Sequence, residues 1–383
     1  MPLWPLLACL GALCAGLCLL LPAARAKLNE QQYWTSDWRS ALLADHTRDY
    51  HDRIVIVMVD VPSLGGVLVP VPRDYTAKLI RAVDALAPRV IGFDFYFAQP
   101  QPEEKTQQLV DAINGARSLV LGGVDATARE FTEDQFKYQA GFLARCNKPV
   151  GYINLNNNDT GVVRDSEPPL AGSPFQQSFA RQIYRAAEPG KPPPPDTARP
   201  IAWLTGPGRD GVPFRTISAH KVLTPASEAE RAEVAAQIKD RVVLIGIDLT
   251  QIDSFRTPMN LLTDRKMRGV VVHAQTLAQM LDGRTLDNLD RQQALYFLAG
   301  LAVVGVVLSW ILWRRSNFLS LGVAAAVLVA ADAALYHWFR LVLPITFALF
   351  VWFLAVLAGR NLHVLAHGWW QSRRVRAPAV ART

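Results

Sequence analysis

Cysteine is scarce in this 383-residue chain: there are four. Cys9, Cys14 and Cys18 fall within one apolar run, which leaves Cys146 alone in the central region. A single thiol excludes an internal disulfide and a cysteine-held zinc there, so stability has to come from a buried apolar core. Catalytic signatures are missing as well: no G-x-S-x-G elbow, no H-E-x-x-H and no phosphate loop occur. A hydrolase assembled from His273, Asp60 and a serine therefore lacks support, and His273 reads as a packed core histidine. There is no internal repeat, which excludes solenoids and propellers.

Charge is absent from whole stretches. Residues 3–21, LWPLLACLGALCAGLCLLL, carry none, and three further apolar stretches begin at Ala294, Phe318 and Leu341. Each approaches the roughly 20 residues that cross about 30 Å of hydrocarbon as a helix. A soluble protein is excluded on this pattern. Basic residues in short loops stay on the cytoplasmic side. Arg314 and Arg315 lie between two of the late stretches, and Arg373, Arg374 and Arg376 follow the last. Both groups fall inside if the long middle region is outside. Ala24-Arg25-Ala26 has the A-x-A shape of a signal-peptidase site, although an uncleaved anchor is favoured, and either outcome exports the same region. The formal net charge of +7 does not point to nucleic acid. The terminal arginines instead suit anionic lipid.

The expected organisation is a membrane anchor or signal segment at 1–26 and an exported domain at 27–293. Three transmembrane helices with an interfacial end follow at 294–370, then a basic tail at 371–383. Inside the domain, IVIVMV at 54–59 is apolar on both faces and ends in Asp60, as in a strand buried within a parallel sheet. Tyr75, Leu79, Val83 and Leu86 then repeat at helical spacing until Pro88, and RVIGFDFYF follows as a second strand with Asp94 near its end. KTQQLVDAINGAR reads as a helix, and SLVLGG and RVVLIGI as two more strands. PVGYINL, the turn NNNDTG and VVR read together as a hairpin, and GKPPPPDTARP as an extended loop. SPFQQSFARQIYRAA and ASEAERAEVAAQIKD read as helices, and a last helix, GVVVHAQTLAQMLDG, aligns Val270, Ala274, Leu277 and Leu281 on one face. The fold class is an α/β periplasmic domain with a mainly parallel sheet, joined to α-helical transmembrane segments, one N-terminal and three C-terminal.

Ligands of open parallel sheets bind beyond the carboxyl ends of the strands. Asp60, Asp94 and Gly246 belong at that edge, and Arg73, entering the first crossover helix, is in a position to hold a carboxylate or phosphate there. The alternative is structural, with Asp60 and Asp94 fixing loops and Arg73 neutralising one of them. Asp248 and Asp253, with Thr250 between them, lack the acidic ladder and bidentate glutamate of a calcium loop. Asp332, inside the third late stretch's predecessor at 318–339, either faces a partner helix or water as a coupling residue, or serves as an interfacial partner of His337 and Arg340. His363 and His367 stand one helical turn apart without a third ligand, which favours an interfacial helix with its Trp369 and Trp370 belt. The sequon Asn158-Asp159-Thr160 has meaning only in a glycosylating pathway.

Several stretches together are similar to the CHASE2 family of bacterial extracellular sensory domains. They are Asp60 and Ser63 in VDVPSL, Pro72 and Arg73 in VPVPRDY, APRVIGFDFYF, DTGVVRD, FRTISAHKVL, and RVVLIG followed by Asp253, Thr257 and Pro258. MRGVVVHAQTL, with Gly269, His273 and Ala274, completes the series. The resemblance covers roughly residues 50–283 in the family's order. It implies a sensory role, three membrane helices after the domain and, in many relatives, an intracellular kinase or cyclase. No catalytic domain fits after the last span, so the responding element is expected in a separate cytoplasmic signalling protein or in a missing continuation of this chain, with an envelope assembly or scaffold role as the alternative. No enzymatic activity, cofactor, metal or nucleic acid is expected, and a homodimer in the bacterial inner membrane is. The candidate ligand-binding set is Asp60, Ser63, Arg73, Asp94, Asp253 and Thr257.

Overall fold

Seven residues, Ile54–Asp60, form strand β1, and all but Asp60 are buried. Burial on both faces demands a sheet covered from both sides, and that is what the chain builds. The structure is a computed structural model that describes residues 22–64, 70–125, 131–155, 160–166, 168–169, 171–195, 197–249, 253–312 and 317–375. The apolar run at 3–21, Asn158, Asp159, Thr250, Arg314, Arg315 and Arg376 lie outside these residues. Contacts divide the chain into an α/β unit, residues 40–285, and a second unit made of residues 1–39 and 286–383.

In the α/β unit β1 is followed by β2 (Val90–Phe93), β3 (Leu119–Gly123), β4 (Val150–Tyr152), β5 (Arg215–Ser218) and β6 (Val242–Asp248). They make one parallel sheet in the order β4-β3-β2-β6-β1-β5. Alternate residues of β1 point to opposite layers. Val55, Val57 and Val59 join a core with α2 (Arg73–Ala85), α3 (Glu103–Gly115), α4 (Glu133–Ala144) and α6 (Glu228–Ile238). Ile54, Ile56 and Met58 join the other core, with α5 (Phe179–Ala187) and α7 (Gly269–Asp282). The mainly parallel α/β reading therefore holds.

Two expectations differ. Residues 150–152 are not half of a hairpin: they pair in parallel with β3 as the sheet's edge strand. The return segment pairs instead at Asp165–Ser166 with Arg199–Pro200 and at Val162 with Arg256. Gly151 permits this, because a Cβ there would stand 2.4 Å from the Cα of Phe179 at the start of α5. Strand β5 is an addition that the sequence did not announce, since a four-residue RTIS with one buried position lacks an apolar run.

Helix α7 is buried on nearly every side from Gly269 to Gln279. Its Val270, Ala274 and Leu277 face the sheet, while Val272 packs with Trp203 and Ile201 on the opposite side. Two amides make that second contact specific. Gln275 accepts from the Leu204 N–H (3.0 Å) and donates to the Leu204 carbonyl (2.7 Å). Gln279, one turn on, accepts from the Ala202 N–H (2.8 Å) and donates to the Pro200 carbonyl (3.2 Å). The two glutamines thus act as a substitute strand edge for residues 200–204. Gln275→Leu strands two buried backbone groups and is expected to cost about 2–4 kcal/mol; thermal unfolding of the purified protein in detergent measures it, and an unchanged midpoint would refute this role.

In the second unit, α8 (Arg291–Ile311), α9 (Asn317–Phe339) and α10 (Ile345–Val375) contain three segments long and apolar enough to cross a membrane: Arg291–Ile311, Gly322–Phe339 and Ile345–Val364. Helix α8 starts in a capping box, Asp290 accepting from the Gln292 and Gln293 N–H groups while Gln293 accepts from the Asp290 N–H. Helices α8 and α10 pack through small residues, as membrane helices do when no hydrophobic force separates lipid from protein. A Cβ on Gly305 would sit 2.8 Å from that of Ala355, and one on Gly359 would sit 2.6 Å from the Val306 carbonyl oxygen. Ser309 donates across the same seam to the Val356 carbonyl (2.9 Å).

The helix α1 (Pro22–Leu42) is too polar to be such a span, but Gln32, Thr35, Ser36 and Arg39 give it a polar edge. Arg39 donates to both oxygens of Asp332 in α9 (2.8 and 3.0 Å) and to the Leu343 carbonyl (3.2 Å), and its guanidinium lies 5.4 Å from the Tyr336 ring. The two charged side chains are 5% and 7% exposed. Asp332 therefore faces a partner helix, and its partner is Arg39.

Candidate ligand site at the carboxyl edge of the sheet

The central strand β6 lies between β1 and β2. The chain leaves β1 and β2 toward the layer of α2 and α3, whereas from β6 it proceeds to α7 in the opposite layer. Loops that part in opposite directions leave a crevice at the carboxyl ends of the strands. Asp60 closes β1 in register with Asp248 of β6, and Asp94 follows β2, its N–H donating to the Ile245 carbonyl of β6 (2.9 Å). The strand-end aspartates are thus where the sequence places them.

Asp60 is engaged in local structure. Its Oδ1 accepts from the Ser63 N–H (3.1 Å), from the Ser63 hydroxyl and from the Ser218 hydroxyl at the end of β5 (3.0 Å). The Ser63 hydroxyl in turn accepts from the His220 N–H (3.2 Å). This cluster pins the turn after β1 to the edge strand β5, and Ser218 is a member that sequence reading missed.

Asp94 and Asp253 form a different group. Asp253 has a positive φ of 50°, which aims its carboxylate at the first residue of α7. A Cβ on Gly269 would come within 2.4 and 2.6 Å of the two Asp253 oxygens, so only glycine admits the carboxylate at this helix N-terminus. The Gly269 N–H and nearby Arg268 hold Asp253 toward its charged form, but burial prevails and pushes its pKa up to about 6. Asp94 is pushed well above the carboxylate range, first by burial and then by the charge of Asp253. Its Oδ2 is shut off from solvent and has no hydrogen-bond partner among the described residues. One turn into α7, His273 is held down to about 4 by burial and meets the Phe179 ring edge-on at 5.4 Å. It is neutral near pH 7 and packed in the core.

The remaining candidates are elsewhere. Arg73, 2% exposed, joins neither Asp60 nor Asp94: it donates to the Thr106 hydroxyl (2.6 Å), the Tyr138 hydroxyl (2.7 Å) and the Gln99 carbonyl (2.8 Å). The rings of Phe97, Tyr138 and Phe142 surround its guanidinium at 5.2–5.8 Å. Cation–π contact and neutral acceptors hold this charge without a carboxylate, tying α2 to α3 and α4. Thr257 is buried in a local turn, its N–H and hydroxyl both donating to Asn260 Oδ1 (2.6 and 3.2 Å). Asp248 accepts from Arg268 at 2.6 Å.

The Asp94–Asp253 pair makes stability depend on pH with a definite sign. Both carboxyls hold protons in the folded chain at pH values where the unfolded chain has lost them, so the folded state binds more protons above the ordinary 3.8. The pair's favourable contribution is full below about pH 4 and is lost as pH rises through about 6 and on into the higher range of Asp94. Asp94→Asn removes the second charge and is expected to stabilise the protein at pH 8 by roughly 2 kcal/mol while leaving pH 4 nearly unchanged. Thermal midpoints between pH 4 and 8 test this, and parallel profiles for the two proteins would refute it.

Helix α7 ends at Gly283, whose φ of 65° terminates it in the left-handed region, and residues 283–290 then connect it to α8. At the same end, His51 meets Asp282 (3.2 Å) and Arg53 donates to the Leu281 carbonyl (3.2 Å). One helix therefore touches the buried carboxylates at its start and leads into a membrane-length helix at its end. A family model described as CHASE2 domain matches residues 12–313. No curated protein and no solved structure matches the chain. CHASE2 is a family of sensory domains, and three membrane-length helices fit a membrane sensor. Since the match encloses the whole parallel-sheet unit and runs on through α8, the chain belongs to the CHASE2 domain family.

Proposed function

We propose that this protein is an inner-membrane sensor whose α/β unit faces the periplasm and whose carboxyl-edge crevice sets the position of α7. The state of α7 biases the arrangement of α8–α10, and through them a separate cytoplasmic signalling protein. The observation that carries this reading is the double attachment of α7, to Asp253 through Gly269 at one end and to α8 through residues 283–290 at the other. A ligand or a proton shifts such an equilibrium only by its different affinity for the two arrangements. The buried pair Asp94–Asp253 would supply that difference through a change in its protonation. Homodimerisation would let two copies of α8–α10 reorganise together.

A photo-crosslinking residue at Ser372, near the C-terminal end of α10, in the native host tests the reading. Capture of a cytoplasmic kinase or cyclase whose activity differs between the wild-type chain and Gly269→Val supports it. Capture of envelope proteins alone, with no response to that substitution, favours the scaffold role.

A further inference from the structure

An opening lies beside the edge strand β4, away from Asp60, Asp94 and Asp253. A cavity of about 750 Å³ is enclosed by the end of β3, helix α4, the edge strand β4 and the segment 174–176 that leads into α5. Its size is within the range of small-molecule sites, about 300–1,000 Å³. The sequence creates it locally. Helix α4 presents Ala140 and Ala144, one turn apart and both exposed, where larger side chains would fill the space. Phe175 forms the facing wall because Gly123 leaves its ring room: a Cβ there would stand 2.4 Å from Phe175 Cζ.

The lining selects by charge. Its walls are mainly apolar, with Phe136, Leu143 and Phe175 among them, and its acids are Asp125 and Glu133. Its one lysine, Lys137, is already paired with Glu133 at 2.8 Å, and no arginine is among the described residues that line it. The Lys137–Glu133 pair is neutral as a unit, and Asp125, which accepts from Asn154 Nδ2 (3.2 Å), leaves the described lining net negative, which disfavours an anionic ligand and favours an amine. The cavity also communicates with α7. Phe179, four residues beyond Phe175 and the first residue of α5, has its backbone against Gly151 and its ring edge-on to His273. Displacing the 174–176 segment therefore moves α5 against α7.

We propose that this cavity is a binding site for a small, mainly apolar molecule that carries an amine or other N–H donor and no negative charge; its regulatory meaning rests on the sensory reading above, its occupancy does not. The test uses the full-length protein in zwitterionic-lipid nanodiscs, with empty discs subtracted, and a matched pair of probes, 2-(1-naphthyl)ethylamine and 3-(1-naphthyl)propionate. The amine is expected to bind at least tenfold more tightly than the carboxylate. Ala140→Trp, with Ala144→Phe as a second filler, is expected to weaken it at least tenfold at an unchanged thermal midpoint. Equal binding of both probes, preference for the carboxylate, or amine binding untouched by both fillers would overturn the site. Amine binding that is abolished by the fillers yet leaves the membrane helices unmoved keeps the site and removes the sensory reading instead.

Discussion

Asp332→Ala is expected to destabilise the protein by about 3–5 kcal/mol, the range for breaking a buried ion pair by deleting one partner. The cause is not the lost attraction alone. Arg39, whose side chain is 5% exposed, would keep, among the described residues, only the Leu343 carbonyl and Ser36 hydroxyl as acceptors. Arg39→Leu with Asp332→Leu removes both charges and is expected to recover most of the loss, since well-packed apolar pairs often equal or exceed buried ion pairs. Thermal melting in detergent, followed by size-exclusion chromatography, gives all three values. A double variant no better than the single ones would show that the polar seam of α1, with Thr35 on Thr346 (2.9 Å) and Gln32 on the Thr346 N–H (3.0 Å), depends on the charges themselves.

Gly269→Val is expected to be the most damaging change at the crevice. Its side chain would occupy the place of the Asp253 carboxylate, which already stands within 2.4–2.6 Å of a Cβ position. The carboxylate must leave, and the start of α7 keeps the Asp253 backbone carbonyl (3.1 Å) but loses the nearby carboxylate, at a cost of about 1–3 kcal/mol. Once in solvent, Asp253 returns to the ordinary carboxylate range and no longer raises Asp94. Burial still raises Asp94, but the Asp253 part of the pH dependence is lost, so the variant's stability should vary less with pH between 5 and 8 than that of the wild type, as its thermal midpoints across that range would report. A Gly269→Val protein with the wild-type pH profile would contradict the placement of Asp253.

Much of the α/β unit was legible because burial on both faces writes itself as uninterrupted apolar runs. Ile54–Asp60 and Val242–Asp248 are such runs, and they pair with each other in full register at the centre of the sheet. Edge strands are not written that way. Val150–Tyr152 and Arg215–Ser218 have too few buried positions for a pattern, and their membership is decided by neighbours distant in sequence. The strand-end aspartates are legible because a carboxyl-edge loop directly follows each buried strand. Which of them act together was not visible: Asp60 turns to Ser63 and Ser218, whereas Asp94 shares its surroundings with Asp253. Arg73 misled for a related reason, since its aromatic enclosure comes from Phe97 and from α4, outside its own helix. Arg39 escaped notice because the polar composition of α1 argues for an exported segment, and its match to Asp332 spans nearly the length of the chain. Gln275 and Gln279 did leave a signal, two amides one turn apart on a largely apolar helix.

The relay through α7 has one direct measurement. Spin labels at Ile311 of α8 and Val323 of α9, both exposed at 67% and 57%, would be placed in the full-length chain with its four cysteines replaced. Pulsed electron–electron resonance then gives the distance between the two helices. If α7 carries the state of the Asp94–Asp253 crevice to the membrane helices, the distribution changes between pH 5 and pH 8 in the wild type and is locked in one form by Gly269→Val. Identical distributions in all of these samples would contradict the relay.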